Sequence, residues 1–73
     1  MATNQELEFV RISLCEELGA IDNYQQRIDT ARDEALKKVL KHNMDEEKEH
    51  VAMLVEWLKK NDSVQNRVFE EHD

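Results

Sequence analysis

Apolar residues recur every three or four positions through most of this chain, the period of a helix with one face turned away from water. Two long stretches carry the pattern. The first covers about 5–30, where Leu7, Val10, Leu14, Leu18, Ile21, Tyr24 and Ile28 form one stripe, and Asn4 is the expected N-cap. The second covers about 33–60, with Leu36, Val39, Leu40, Asn43, Leu54, Trp57 and Leu58 on its stripe. It opens on Asp33 and Glu34, whose negative charges suit the positive end of a helix dipole. The polar link Asp29-Thr30-Ala31-Arg32 has the length of a helix–helix connection. Asn61-Asp62-Ser63 then reads as a break and a new cap, before a short helix over about 63–72 that carries Val64, Val68 and Phe69. The predicted fold is all-α, an antiparallel two-helix hairpin plus a short C-terminal helix in a single domain over 1–73.

Composition sharpens this picture in two ways. Proline is absent and Gly19 is the one glycine, so little interrupts the helices. With 73 residues, of which 40% are hydrophobic, a lone hairpin has too little core to hold itself, and association is an expected remedy. Phe9, Ile12 and Cys15 lie off the first stripe, and Met44 and Val55 off the second, which adds apolar surface for contacts beyond one hairpin pair. The net charge of −7 argues against nucleic acid or an acidic membrane surface as partner. No apolar run approaches the length of a membrane span. One cysteine excludes an internal disulfide and fits a reducing compartment, with Cys15 expected as a small interface residue. The first residues show neither a basic nor an apolar targeting region, so a cytoplasmic location is predicted.

Three polar residues violate the stripes. Glu17 sits inside the first, three residues after Leu14 and four before Ile21. Glu47 sits at the middle of the second, seven residues from both Leu40 and Leu54, and His50 lies seven before Trp57. Asp45, Lys48 and Glu49 point away from the stripe at about 100° per residue, and Glu46 is on its flank. Spacing alone makes Glu-x-x-His in a charged run an ordinary solvated face; phase with the stripe reverses that reading. Burying a lone carboxylate is costly unless it is paired, protonated or bound to a metal. If the hairpin turns near residue 32, Glu17 and Glu47 stand at one height, and with His50 they offer ligands that suit iron or manganese. Ferritin-like bundles build a di-iron site from two helices giving Glu and two giving Glu-x-x-His. This chain has one helix of each kind, hence half a site, completed by a second copy in a ferritin-like four-helix bundle. Tyr24 reads as a core aromatic whose hydroxyl reaches a ligand carboxylate, and Trp57 as core or interface. His42 lies roughly 140° from Glu47 and reads as a surface histidine.

Glu16-Glu17-Leu18 through Asp22-x-Tyr24-x-Gln26-Arg27-Ile28-Asp29 resembles the encapsulated ferritins, small ferritin-like cargo proteins of encapsulin shells. The resemblance continues through His42-Asn43-x-Asp45-Glu46-Glu47-Lys48-Glu49-His50-x-Ala52-Met53 and Glu56-Trp57-Leu58-x-x-Asn61-Asp62. It implies a homodimer with an inter-subunit ferroxidase centre, dimers assembled into a ring that is commonly a decamer, and iron ligation by Glu17, Glu47 and His50. It further implies that Fe(II) is oxidised with dioxygen while mineral collects in the surrounding encapsulin nanocompartment. Two positions depart from the family pattern. Asn23 replaces a tryptophan before the tyrosine, and Gly19 replaces an acidic residue after Glu17. The family's outer cation-uptake site would then retain Glu16, Glu46 and His42, with weaker attraction. The sequence ends at Asp73 without an evident shell-targeting tail.

The function expected is therefore Fe(II) oxidation by dioxygen at a di-iron site shared by two copies, feeding storage in a shell. The rival of another class is a structural homo-oligomeric hairpin adaptor whose seam acids are only hydrogen-bonded. A rubrerythrin-like peroxide reductase is the rival enzyme, and it lacks a second cysteine for a rubredoxin-type iron.

Overall fold

The structure, a computed structural model, describes residues 2–73. Three helices follow in order, α1 over Asn4–Thr30, α2 over Glu34–Asn61 and α3 over Ser63–Glu71. α1 and α2 pack along one another as an antiparallel hairpin, and α3 packs against α2. The all-α hairpin with a short third helix agrees with the sequence reading.

Each helix starts on a side-chain cap and ends on a backbone hydrogen bond. Thr3, not Asn4, caps α1: its hydroxyl accepts from the Glu6 N–H, while the Thr3 N–H donates to the Glu6 carboxylate at 3.0 Å. This reciprocal pair satisfies two donors at once and so defeats the single bond Asn4 would offer. α1 stops at Ala31, whose extended backbone still donates to the Arg27 carbonyl. Asp33 caps α2 by accepting from the Leu36 N–H. Asp62 has two roles, since its N–H closes α2 on Leu58 and its carboxylate opens α3 by accepting from Gln65. That carboxylate also lies 3.7 Å from Arg11 and so ties the start of α1 to the α2–α3 corner.

The seam is narrower than the stripes suggested. On α1 the seam series is Leu7, Val10, Leu14, Glu17, Ile21, Tyr24 and Ile28, all shielded, with Ser13 and Ala20 shielded beside it. On α2 the corresponding series is Lys37, Leu40, Met44, Glu47, Val51, Leu54 and Leu58. Both alternate steps of three and four, the two-in-seven seam of helices that share one neighbour. Leu18, Leu36 and Val39, expected on the stripes, are instead largely exposed. A single partner helix shields only part of the arc that a 100° count treats as one face. Met44, expected off the stripe, is 6% exposed and, with Leu58 at 5%, makes up the buried core among the described residues. Val55 and Phe69 line one groove between α2 and α3, so that displaced position faces the third helix.

The molecule measures 47 × 27 × 14 Å with a radius of gyration of 15.3 Å. A compact domain of this length would have a radius near 11 Å. One helix with its side chains is about 10–12 Å across, so the hairpin is a single layer of helices with one broad side uncovered.

Candidate metal centre

Glu17 and Glu47 occupy the same place in these two series, each the fourth of seven. Antiparallel packing around the Ala31-Arg32-Asp33 turn therefore brings them to one height. His50, one turn after Glu47, reaches both. Its Nδ1 lies 3.4 Å from Glu47 Oε2 and 3.5 Å from Glu17 Oε2. A ligand atom of each of the three residues lies within 4.8 Å of the others, and among the described residues no other trio of such side chains converges this way. The Glu17 and Glu47 side chains are 25% and 23% exposed, against 49% for His50. The imidazole thus forms the outer lip of a site whose floor is the seam.

The bonding within this trio is incomplete. Nδ1 carries at most one proton, and the hydrogen bond falls to Glu47. Glu17 Oε2 is close to Nδ1 but outside hydrogen-bonding geometry, and it is enclosed with no hydrogen-bond partner. An enclosed, unsatisfied carboxylate oxygen is costly in a closed fold. Here it faces a second carboxylate and a ring nitrogen, an oxygen-and-nitrogen donor set that fits iron or manganese.

The rest of the acidic run behaves as a solvated face. Asp45, Glu46, Lys48 and Glu49 are exposed. Asp45 pairs with Lys41 at 3.2 Å, and His42 Nε2 meets Glu46 at 2.6 Å. His42 and Glu46 are therefore together, one turn apart on the outside of α2, while Glu16 is exposed and does not join them in a three-residue group. Tyr24 is half-buried, with the Arg27 guanidinium 5.6 Å from its ring centre. Cys15 is exposed. The feature invisible to sequence reasoning is the orphaned Glu17 oxygen, since stripe position says nothing about which lone pairs are satisfied.

A family model described as EncFtn-like matches residues 1–72. The chain belongs to the EncFtn-like family. A Thermotoga maritima "Ferritin-like protein" is 51% identical over 61 residues, spanning 81% of this chain and 54% of its own length. A Rhodospirillum rubrum "Encapsulated ferritin-like protein" is 54% identical over 52 residues, 71% of this chain and 37% of that one. A Myxococcus xanthus encapsulin nanocompartment cargo protein is 39% identical over 56 residues, 77% of this chain and 43% of its own. The chain thus spans about half the length or less of these curated relatives. Among solved structures, a Nitrosomonas europaea protein superposes with a TM-score of 0.88 at 40% identity, covering 96% of this chain and 79% of its own. The EncFtn-like hairpin is therefore shared with a crystal structure across nearly the whole chain. Among the described residues, no helix is long and apolar enough to cross a membrane.

Proposed function

We propose that the chain is a ferroxidase half-site, in which two copies join to oxidise Fe(II) with dioxygen and deliver the product to an encapsulin shell. The observation that carries this reading is the converged trio Glu17, Glu47 and His50 with its orphaned carboxylate oxygen. Fe(II) is the substrate. Glu17 and Glu47 neutralise its charge and favour the ferric state, and His50 supplies a neutral nitrogen through Nδ1. Tyr24, one heptad from Glu17 in the seam, makes no hydrogen bond to that carboxylate in the single chain, and its hydroxyl would have to reach it on pairing. Two Fe(II) would each give one electron, and dioxygen would take the pair with two protons from solvent to leave as hydrogen peroxide. His42 and Glu46, paired outside α2, and Glu16, separate from them on α1, would serve at most as an outer, weakly attracting approach for the cation.

The uncovered side supports pairing. Leu36, Val39, Met53 and the half-buried Trp57 recur at helical spacing along α2, and His50 lies in that same row. A helix of a second copy laid on this row covers the apolar side chains and closes over the imidazole. A two-fold axis makes the arrangement self-complementary and brings four carboxylates and two histidines together. Further exposed apolar positions such as Phe9 and Ile12 are available for the contacts between dimers that a larger ring such as a decamer needs. Two short hairpins enclose no mineral cavity, so storage falls to a shell, the kind of compartment for which the Myxococcus xanthus relative is named.

Rapid-mixing absorbance after adding Fe(II) to the aerobic protein tests the site. Glu47→Ala and His50→Ala should lower the oxidation rate by a hundredfold or more, on the order of 3 kcal/mol of barrier. Asp45→Ala and Glu49→Ala should retain the rate. Four equal responses would overturn the assignment.

A further inference from the structure

We propose that Met53 is an oxidation site, a thioether that hydrogen peroxide converts to the sulfoxide and that thereby loosens the pairing of two copies. This rests on reading the uncovered row of α2 as the surface a second copy covers, and it concerns how that surface is regulated. Met53 is 63% exposed, the most open large apolar side chain among the described residues. It stands one turn after His50 and one turn before Trp57, in the row that Leu36 and Val39 begin. Met44 lies nine residues earlier on the same helix, about 180° around it, and is sealed in the seam. Two identical side chains thus occupy opposite sides of α2, one in water and one enclosed.

A thioether carries no proton, so its oxidation is governed by access. The sulfur attacks one oxygen of hydrogen peroxide and the O–O bond breaks. That oxygen stays on sulfur as the sulfoxide, its proton passes to the departing hydroxide, and water leaves. Sulfur loses two electrons and peroxide gains them. The oxidant is the product that two-electron reduction of dioxygen would release beside this helix. A flexible apolar side chain has become a polar one. In a single chain the new oxygen faces water without penalty. Under a second copy it is covered among apolar side chains, and burying a polar group without a partner is unfavourable. A two-fold pair carries the change on both copies. Pairing shields the sulfur, so oxidation strikes separated chains and keeps them apart.

The test treats metal-free protein with hydrogen peroxide, removes the excess with catalase, and locates the products by peptide mass spectrometry. Cys15 is exposed as well, so the protein carries Cys15→Ser to leave no thiol. Pairing is then read by anaerobic sedimentation with and without Fe(II). Sulfoxide should form at Met53 well before Met44, and more slowly at concentrations where the chain pairs. Pairing should weaken roughly tenfold for each oxidised chain, about a hundredfold when both carry the sulfoxide. Methionine sulfoxide reductases with dithiothreitol should restore it. Met53→Leu should pair normally and ignore peroxide, and Met53→Gln, with a permanent polar group, should pair weakly without any. If Met53→Leu loses its helical circular dichroism, the reductase arm decides. Oxidised protein that pairs as before, or weakened pairing that the reductases do not restore, would overturn the proposal. The readings fail separately. A chain that stays single at every concentration, with or without Fe(II), sinks the pairing and the switch together. A chain that pairs but ignores oxidation of Met53 sinks only the switch.

Discussion

Met44 and Val39 are five positions apart on α2 and belong to different environments, one enclosed in the seam and the other largely in water. Met44→Ala removes buried contacts and leaves a void, at a cost of about 2–4 kcal/mol. Val39→Ala should cost the single chain well under 1 kcal/mol. Urea titration of the metal-free chain, followed by circular dichroism, should separate the two, and equal costs would mean the seam is misplaced. Gly19 poses the reverse case. It lies mid-helix, and a Cβ there would meet no atom within 4 Å. Gly19→Ala should therefore stabilise α1 by roughly 0.5–1 kcal/mol through its smaller entropy loss, raising the melting temperature by several degrees in a chain this size. A lower melting temperature would mean that another chain packs closely on Gly19.

Among whole elements, the start of α1 carries a pH response of its own. The Thr3 N–H, and then the Thr3 hydroxyl, hold the Glu6 carboxyl below its ordinary value. A group with a lowered folded pKa binds its proton more weakly in the folded state. Its contribution is therefore present above the ordinary glutamate range and fades as pH falls through the lowered value. Amide exchange at Leu7, whose N–H donates to the Thr3 carbonyl, should show the first turn opening earlier than mid-helix as acid is added. Glu6→Gln should flatten that response, and an unchanged profile would remove the capping box as its source. At the other end of the hairpin one carboxylate, Asp62, both caps α3 and meets Arg11, so Asp62→Ala should loosen the α2–α3 corner.

On the scale of the molecule, a single layer of helices only 14 Å thick leaves one broad side without cover. Anything that binds the paired state better than the separate chains shifts the balance toward pairing. Fe(II) should accordingly raise the proportion of dimer and larger rings in anaerobic sedimentation near the dissociation midpoint. Glu17→Ala should weaken that response while easing repulsion in the metal-free pair. A distribution indifferent to iron at that concentration would count against a shared site.

Much of this was legible because a helix turns position into direction. Period placed two long helices and a short third, and phase picked Glu17, and Glu47 and His50 from a run crowded with acids, because each falls among mostly apolar positions. Asn61-Asp62-Ser63 announced the corner for the same local reason, a capping carboxylate where the pattern breaks. Choices that depend on competition or on a neighbour were not legible. Thr3 displaced Asn4 as the cap because Glu6 could answer it, a difference of one residue set by side-chain reach. Leu18, Leu36 and Val39 match the helical period as well as Met44 does, and only the width of the seam between two packed helices decided which were shielded. The sequence by itself determined which helices form and which polar residues face inward, since both follow from backbone period. Only the tertiary structure decided that His50 satisfies one carboxylate and leaves the other's oxygen without a partner, since that depends on distances across two helices.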